Sequence, residues 1–536
     1  MAHYEADLVV VGAGVASLLV AWKAAEAGAS VLVLEAGPPF DRAQSLQNYR
    51  AAIAKTPESP YPAAPYAPQP SVIALDEYYV FTGPTQFKSN YIRRVGGTTL
   101  HWLGTSMRFI PEDFQLKTLY GVAEDWPLTY EELEPWYAAA EVELGVAGED
   151  DLDSPRSGAY PQPPLPLTYL DQQLALAAAR VGLEVRPTPQ ARNSRYYDGR
   201  PPCCGNATCV PICPIGAKYD ATVHLRRAQA LGAQLLDSAV VFAVDVSPEG
   251  RVTQVRFKRP DGSEHSAVGK LYAIGAHGIE TPKLLQMSRT DALPNGVANS
   301  SGVVGRYLMD HPSLLSWALA NEPLYPYRSP LENSGIENFR HGEARRTRSA
   351  FRMAVGEEGW SYPGVTPDVL AGQLIDQGYF GQALMDELNY RVARQVRFAN
   401  LIEQMPLYEN YVSPAWDHLD AIGLPRPQID YRLDPVTEQG LAEARRVSEQ
   451  VFNSLGVSEI QHSDTFFGAG HVIGTYRMGS DPRTSVVDAD QRTHDHPNLF
   501  LLGSGTFPTS GTANPTLTLA ALSLKSAGVI VAELRL

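Results

Sequence analysis

All four cysteines of the chain, Cys203, Cys204, Cys209 and Cys213, fall in the single stretch PPCCGNATCVPICPIGAKYD. Disulfides scattered over the fold are therefore ruled out, and the cluster has to be explained as a unit. Glycine and proline let a loop turn tightly around a metal centre, and Cys209-x3-Cys213-Pro214 echoes the close of a bacterial ferredoxin run. A four-cysteine zinc site is disfavoured, because adjacent cysteines can rarely both reach one tetrahedral ion. No C-x-x-C-H occurs, which excludes a haem attached in that way. Iron–sulfur ligation, structural zinc and local disulfides stay open.

A second chemical signal lies at the N-terminus. Ala6 to Val11 (ADLVVV) is a β-branched apolar run that fits a buried parallel strand. The turn GAGVAS follows, then the helical stretch LLVAWKAAEA, which ends at Gly28, then a second strand from Ser30 to Leu34 that closes on Glu35. This is a β-α-β unit with an acid roughly 20 residues beyond its turn, the pattern that binds dinucleotides. Gly12 permits the tight turn, Gly14 lets the backbone approach a pyrophosphate, and the helix N-terminus faces it with unpaired N–H groups. Glu35 can accept from ribose hydroxyls. The third glycine position is Ser17, whose side chain is expected to press helix and strand slightly apart. The unit alone does not separate NAD from FAD.

The bulk composition narrows the partners. The 536 residues carry 59 Asp plus Glu against 44 Lys plus Arg, a formal charge of -15. So acidic a surface repels phosphate backbones, and nucleic acid is not an expected partner. No run reaches the roughly 18 uninterrupted apolar residues of a membrane span, and the oily C-terminal stretch, broken by Lys525, Glu533 and Arg535, reads as a packed amphipathic helix. Without a basic patch, apolar core and cleavage site at its start, the chain is expected to carry no export signal of its own. The Pro-rich stretch 57–70 reads as an extended loop.

Three further segments carry a family resemblance: RRVGGTTLHWLGTSMRF (93–109), GAHGIETPKLLQMS (275–288), and the pair HVIGTYRMG (471–479) and NLFLLGSGTFPTSGTANPTLTLAALSL (498–524). With GAGVAS they resemble the ordered landmarks of the glucose-methanol-choline (GMC) flavoprotein oxidoreductases, over essentially the whole chain. The resemblance implies an α/β fold. A Rossmann-like FAD domain would be drawn from 1–310, including the cysteine loop at about 195–222, and from 465–536. A substrate domain on a mixed β-sheet would come mainly from 311–464. It implies a flavin cradle at Gly96, Gly97 and Thr98, an adenine contact at Val241, and a lining of Gly503, Ser504, Asn514 and Pro515. His101, immediately before Trp102, stands where some members link histidine covalently to the flavin.

Oxidising an alcohol requires a base for the hydroxyl proton while the carbon gives up hydride, and histidine suits that role near neutral pH. His471 occupies the family's catalytic-histidine position, and Asn514 occupies the second position, which is His or Asn among members. The MDHPS segment matches another landmark, and a structural role is expected for its His311.

The cysteine loop is similar to that of a subgroup of bacterial GMC dehydrogenases acting on glucose, fructose, sorbitol or gluconate, whose C-x5-C-x3-C holds a [3Fe-4S] cluster. Cys203, Cys209 and Cys213 fit that set and leave Cys204 over, for which an outward position and a disulfide to another subunit are expected. The resemblance implies a sugar or polyol substrate, D-glucose at C1 foremost. It also implies a small subunit with a twin-arginine signal and a multihaem cytochrome c subunit. The expected place is then the periplasmic side of the bacterial inner membrane, reached by co-export, or the cytoplasm where no such partner is present. The alternatives are a GMC oxidase that uses oxygen, a dehydrogenase for sorbitol, fructose or gluconate, and a non-catalytic flavin-binding or redox-relay protein.

Overall fold

In the computed structural model, which describes residues 2–53, 56–149, 153–357 and 367–535, the chain opens with strand β1 (His3–Val11). Helix α1 (Val15–Glu26) and strand β2 (Val31–Leu34) follow. The expected β-α-β unit is present, with β1 extended to His3. β1 is the centre of a seven-stranded sheet. β2 and Gln234–Leu236 lie on one side of it; Glu264–Ile274, Val252–Lys258 and Val240–Val246 lie on the other, with Leu499–Leu501 also paired to Glu264–Ile274.

The register explains where a ligand must sit. Val11 is paired with Leu34 and with Ile274, and Ile274 with Leu501, all in parallel. Four strands therefore end level, and the chain leaves the sheet at Gly12, Glu35, Gly275 and Leu502 along one edge. The strand order reverses about β1, so this edge is the switch-point crevice where open α/β sheets bind ligands.

A second seven-stranded sheet runs in the order Val457–His462, Pro312–Ala320, Gln395–Ile402, Phe351–Gly356, Ser334–Ile336 and Val185–Pro187, with Phe467–Gly468 also beside Pro312–Ala320. One expectation is corrected here. Every pairing in this sheet is antiparallel, and the mixed pairing falls instead in the first sheet and in a three-stranded sheet of Tyr411–Leu419, Pro425–Asp430 and Val80–Phe81. The second sheet also borrows short strands from outside 311–464, of which residues 358–366 lie outside the described ones. Antiparallel pairing suits a sheet that covers a core on one face only. Leu314, Ala318, Val396 and Phe398 pack against Leu170, Leu174, Ala444 and Val447 of the helices Tyr169–Arg180 and Pro435–Leu455. The alternate residues Ser313, Leu315, Arg397, Ala399 and Leu401 face the other way, toward a cavity.

The C-terminal helix, Thr516–Leu534, is long and apolar enough to cross a membrane by length and composition, and 56% of its apolar window is buried. It packs against α1 and against the helix Tyr130–Leu144.

Candidate active site

Between the level strand ends and the antiparallel sheet lies a cavity of about 1180 Å³. That exceeds the ~300–1,000 Å³ of an ordinary small-ligand pocket and leaves room for a dinucleotide and a second molecule. The cradle at its floor is built from backbone. Gly12 holds φ +97°, and a Cβ there would meet the Gly275 carbonyl oxygen at 2.6 Å, so only glycine fits the turn. A Cβ on Gly14 would meet no protein atom within 4 Å. Gly14 caps α1 without a side-chain hydrogen bond, and the first turn of α1 contains no acid. Its N–H groups are thus left for an anion such as a pyrophosphate.

Glu35 lines the cavity, and both of its oxygens also staple the cradle: Ala13 N–H donates to Oε2 at 2.7 Å and Gly37 N–H donates to Oε1 at 2.8 Å. Burial pushes its pKa up. A carboxylate oxygen accepts more than one bond, so ribose hydroxyls can still be held. Gly97, Thr98, His101, Val241, Gly503, Ser504, Asn514 and Pro515 also line the cavity. Two expected contacts do not. Ser17 is buried against Gly275, with Oγ 3.5 Å from its carbonyl oxygen, and the missing side chain of Gly275 provides the room that a serine needs. Gly96 donates its N–H to Ala13 O at 3.0 Å, which locks the two glycine turns together. The donors and open glycines fit FAD.

His101 sits where the cavity meets the cysteine loop. Its Nδ1 is buried with no hydrogen-bond partner, and burial, then the neighbouring Lys218 charge, push its pKa down to about 3. The Tyr61 hydroxyl bridges Leu100 O and Pro211 O, and Lys218 donates to the carbonyls of Leu100, Trp102 and Cys209. The cysteine loop is thereby tied to the segment carrying His101, and Ala207, Thr208, Val210 and Pro211 line the same cavity.

The loop carries four free thiols: Cys209 and Cys213 buried, Cys203 half-buried, Cys204 exposed. Arg192 Nη1 donates to Cys209 Sγ at 3.2 Å, and Arg42 donates to the Cys213 carbonyl at 2.7 Å. Burial raises the Cys203 pKa; Arg192 lowers it and the neighbouring Cys209 and Cys213 raise it, so these three thiols share one electrostatic neighbourhood. Among the described residues, the group of three potential ligands near enough to share one ion is Asp310, His311 and His471, not the cysteines.

His471 and Asn514 meet in the cavity, with Asn514 Nδ2 3.1 Å from His471 Nε2. Burial, then the neighbouring His311 ring and the Arg352 guanidinium, hold the His471 pKa well below the usual histidine value, so the ring is neutral. Arg352, fully buried and unforeseen in the sequence, donates to Asn514 Oδ1 at 3.4 Å and to Glu337 at 3.1 Å. This sets the amide with its NH2 toward His471. Arg340 holds the adjoining loop by donating to Thr512 Oγ1 and Arg108 O, each at 2.9 Å.

His311, expected to be structural, lies against His471 with their Nδ1 atoms 3.0 Å apart. Asp310 Oδ1 accepts the backbone N–H groups of both His311 (2.7 Å) and His471 (3.0 Å), while Ser89 donates to Oδ2. These bonds hold the three side chains together. Burial raises the Asp310 pKa to about 6 despite them. The MDHPS landmark was the one sequence signal that marked this partnership.

A family model described as GMC oxidoreductase matches residues 409–523, and one described as FAD dependent oxidoreductase matches residues 7–336. The chain is 38% identical to the fructose dehydrogenase large subunit of Gluconobacter japonicus, over 99% of this chain and 98% of that one. It is 27% identical to the 2-methyl-1,2-propanediol dehydrogenase of Mycolicibacterium austroafricanum, over 98% and 95%. Pyridoxine 4-oxidase from Mesorbium loti shares the fold, with a TM-score of 0.64 over 98% of both chains at 18% identity.

Proposed function

We propose that this chain, which belongs to the GMC oxidoreductase family, is the catalytic subunit of an FAD-dependent sugar dehydrogenase that passes its electrons to partner subunits. The carrying observation is the neutral His471 beside Asn514 in the cavity that the Gly12–Glu35 cradle floors. Bound FAD supplies a two-electron acceptor for the hydride of a CH–OH carbon. Gly12, Gly14, Gly97 and the α1 N-terminus hold the dinucleotide, and Glu35 the ribose. His471 Nε2 takes the hydroxyl proton. Asn514 Nδ2 donates to the substrate oxygen and orients it, held by Arg352. The strands bearing Ser313, Leu315, Arg397, Ala399 and Leu401 roof the substrate and exclude water.

The substrate is a sugar or polyol. D-glucose, oxidised at C1, is the reading that the cysteine-loop resemblance favours. D-fructose is the second reading, favoured by the relative at 38% identity. Bleaching of the flavin under anaerobic conditions by glucose, fructose, sorbitol and gluconate decides between them, and no bleaching by any of the four defeats the reading. Peroxide formation in air that outpaces dye reduction would identify an oxidase instead.

Electrons leave, in this reading, through a [3Fe-4S] cluster held by Cys203, Cys209 and Cys213. Three thiols in one electrostatic neighbourhood suit ligands bound to separate irons of one cluster. Arg192 and Lys218 offset the negative charge of such a group in a buried site. Flavin gives two electrons and haem takes one, so a one-electron relay to a cytochrome c subunit has a clear use. Cys204, exposed at the surface, is placed for a disulfide to a small subunit. Co-export with a small subunit bearing a twin-arginine signal would put the assembly on the periplasmic side of the inner membrane.

A further inference from the structure

We propose that His311 is a positioning residue that sets the tautomer of His471, so that His471 Nε2 carries no proton: it accepts from Asn514 in the free site and takes the hydroxyl proton once substrate is bound. This rests on the reading of His471 as the base.

The argument counts donors and acceptors outward from a carbonyl. His311 Nε2 lies 3.0 Å from Gly511 O, and a carbonyl oxygen only accepts. The proton of His311 is therefore on Nε2. Burial keeps the ring neutral, with a pKa pushed down to about 4, and a neutral imidazole has one N–H; Nδ1 is left as an acceptor. That Nδ1 faces His471 Nδ1 at 3.0 Å, so His471 must donate from Nδ1. Its Nε2 then carries no proton.

The far end of the chain gives the same answer independently. His471 Nε2 faces Asn514 Nδ2 at 3.1 Å, and Arg352 at Asn514 Oδ1 fixes that nitrogen as the donor. A proton on Nε2 would be pointed at the Asn514 N–H and would leave two bare Nδ1 lone pairs facing each other. Both ends thus select one tautomer. The rings meet nearly at right angles, 84°, because Asp310 Oδ1 pins the two backbones at neighbouring N–H groups. In function the hydroxyl proton goes to His471 Nε2, and the Nδ1–H···Nδ1 bond to His311 strengthens as His471 becomes charged.

The test uses FAD-loaded protein with ¹⁵N-labelled histidine, and the variants His311→Leu and His311→Asn. Asparagine places an acceptor oxygen near the Nδ1 position, whereas leucine fills space with none. In the wild type, ¹⁵N shifts should report His471 protonated on Nδ1 and bare on Nε2. In His311→Leu the Nε2–H form should rise, and the limiting rate of flavin reduction should fall on the order of 100-fold with little change in KM, as expected for a base in the wrong tautomer. His311→Asn should recover most of that rate. A wild-type His471 protonated on Nε2 overturns the proposal, as does a leucine variant of wild-type rate or an asparagine variant as slow as leucine. Should leucine prevent folding, the wild-type ¹⁵N signal and the asparagine variant still decide. If no sugar or polyol reduced the flavin, the functional reading would fail while the tautomer remained measurable.

Discussion

Arg192 donates to the sulfur of Cys209 across 3.2 Å, and both side chains are buried. Thiolate is the form that ligates iron, and a guanidinium held against that sulfur offsets part of the negative charge of a cluster bound there. Serine at 203, 209 or 213 should therefore remove the paramagnetic signal of a cluster and starve a cytochrome or an electrode of current. Small dyes should still be reduced directly from the flavin. Serine at 204 should leave the signal intact and at most loosen a partner. Stoichiometric zinc without iron in anaerobically purified protein would sink the cluster and the relay together.

Replacing His471 by alanine should lower the rate of flavin reduction by roughly 100-fold or more with FAD still bound, the usual scale for losing a general base. Asn514→Ala should slow it less, because Asn514 orients the substrate and carries no proton away. Stopped-flow absorbance at the flavin band separates the two. An unchanged rate in His471→Ala would remove His471 from the site.

His101 offers an unpartnered, buried Nδ1 in a ring kept neutral, the form in which imidazole is a nucleophile. We expect FAD to stay with the polypeptide after acid denaturation and to give a fluorescent band on a denaturing gel. His101→Ala should abolish the band. Complete acid release from the wild type would refute the linkage and leave the family assignment untouched.

Stability should fall as the pH drops from 6.5 toward 4. The folded-state pKa values of His101 (about 3), His277 (about 4) and His311 (about 4) lie below 6.5, so the unfolded chain takes up their protons first. Their stabilisation is complete above pH 6.5 and is lost on the way down to the folded values. Asp310 works in the opposite sense: raised to about 6, it contributes stability below pH 3.8 that is lost as the pH rises through 6. These histidines, with His471 also held low, outweigh Asp310 and the similarly raised Glu35. Thermal melts of the FAD-loaded protein at pH 7, 5.5 and 4.5 should show a decreasing Tm; a Tm that rose toward pH 4.5 would contradict these assignments.

The sequence by itself determined the parts whose chemistry is local. Gly12 was legible because a turn with φ +97° beneath a carbonyl admits glycine alone, and Gly14 because a pyrophosphate cradle needs open backbone there; both demands are written in one short segment. His471 and Asn514 were legible because each sits inside a recognisable motif, and the cysteines because they crowd one loop. Ser17 misled, since its room is made by Gly275, far along the chain. Tertiary structure alone decided the partnerships. His311 and His471 are 160 residues apart, Arg352 and Asn514 are 162, and no periodicity or spacing links them. The cavity roof was equally hidden: Arg397, Ala399 and Leu401 alternate with core residues as in any strand, and only pairing with Pro312–Ala320 shows which face looks onto the flavin site. Short-range backbone sterics speak through single residues, whereas donor–acceptor pairing and sheet register depend on which distant segments the packed core brings together.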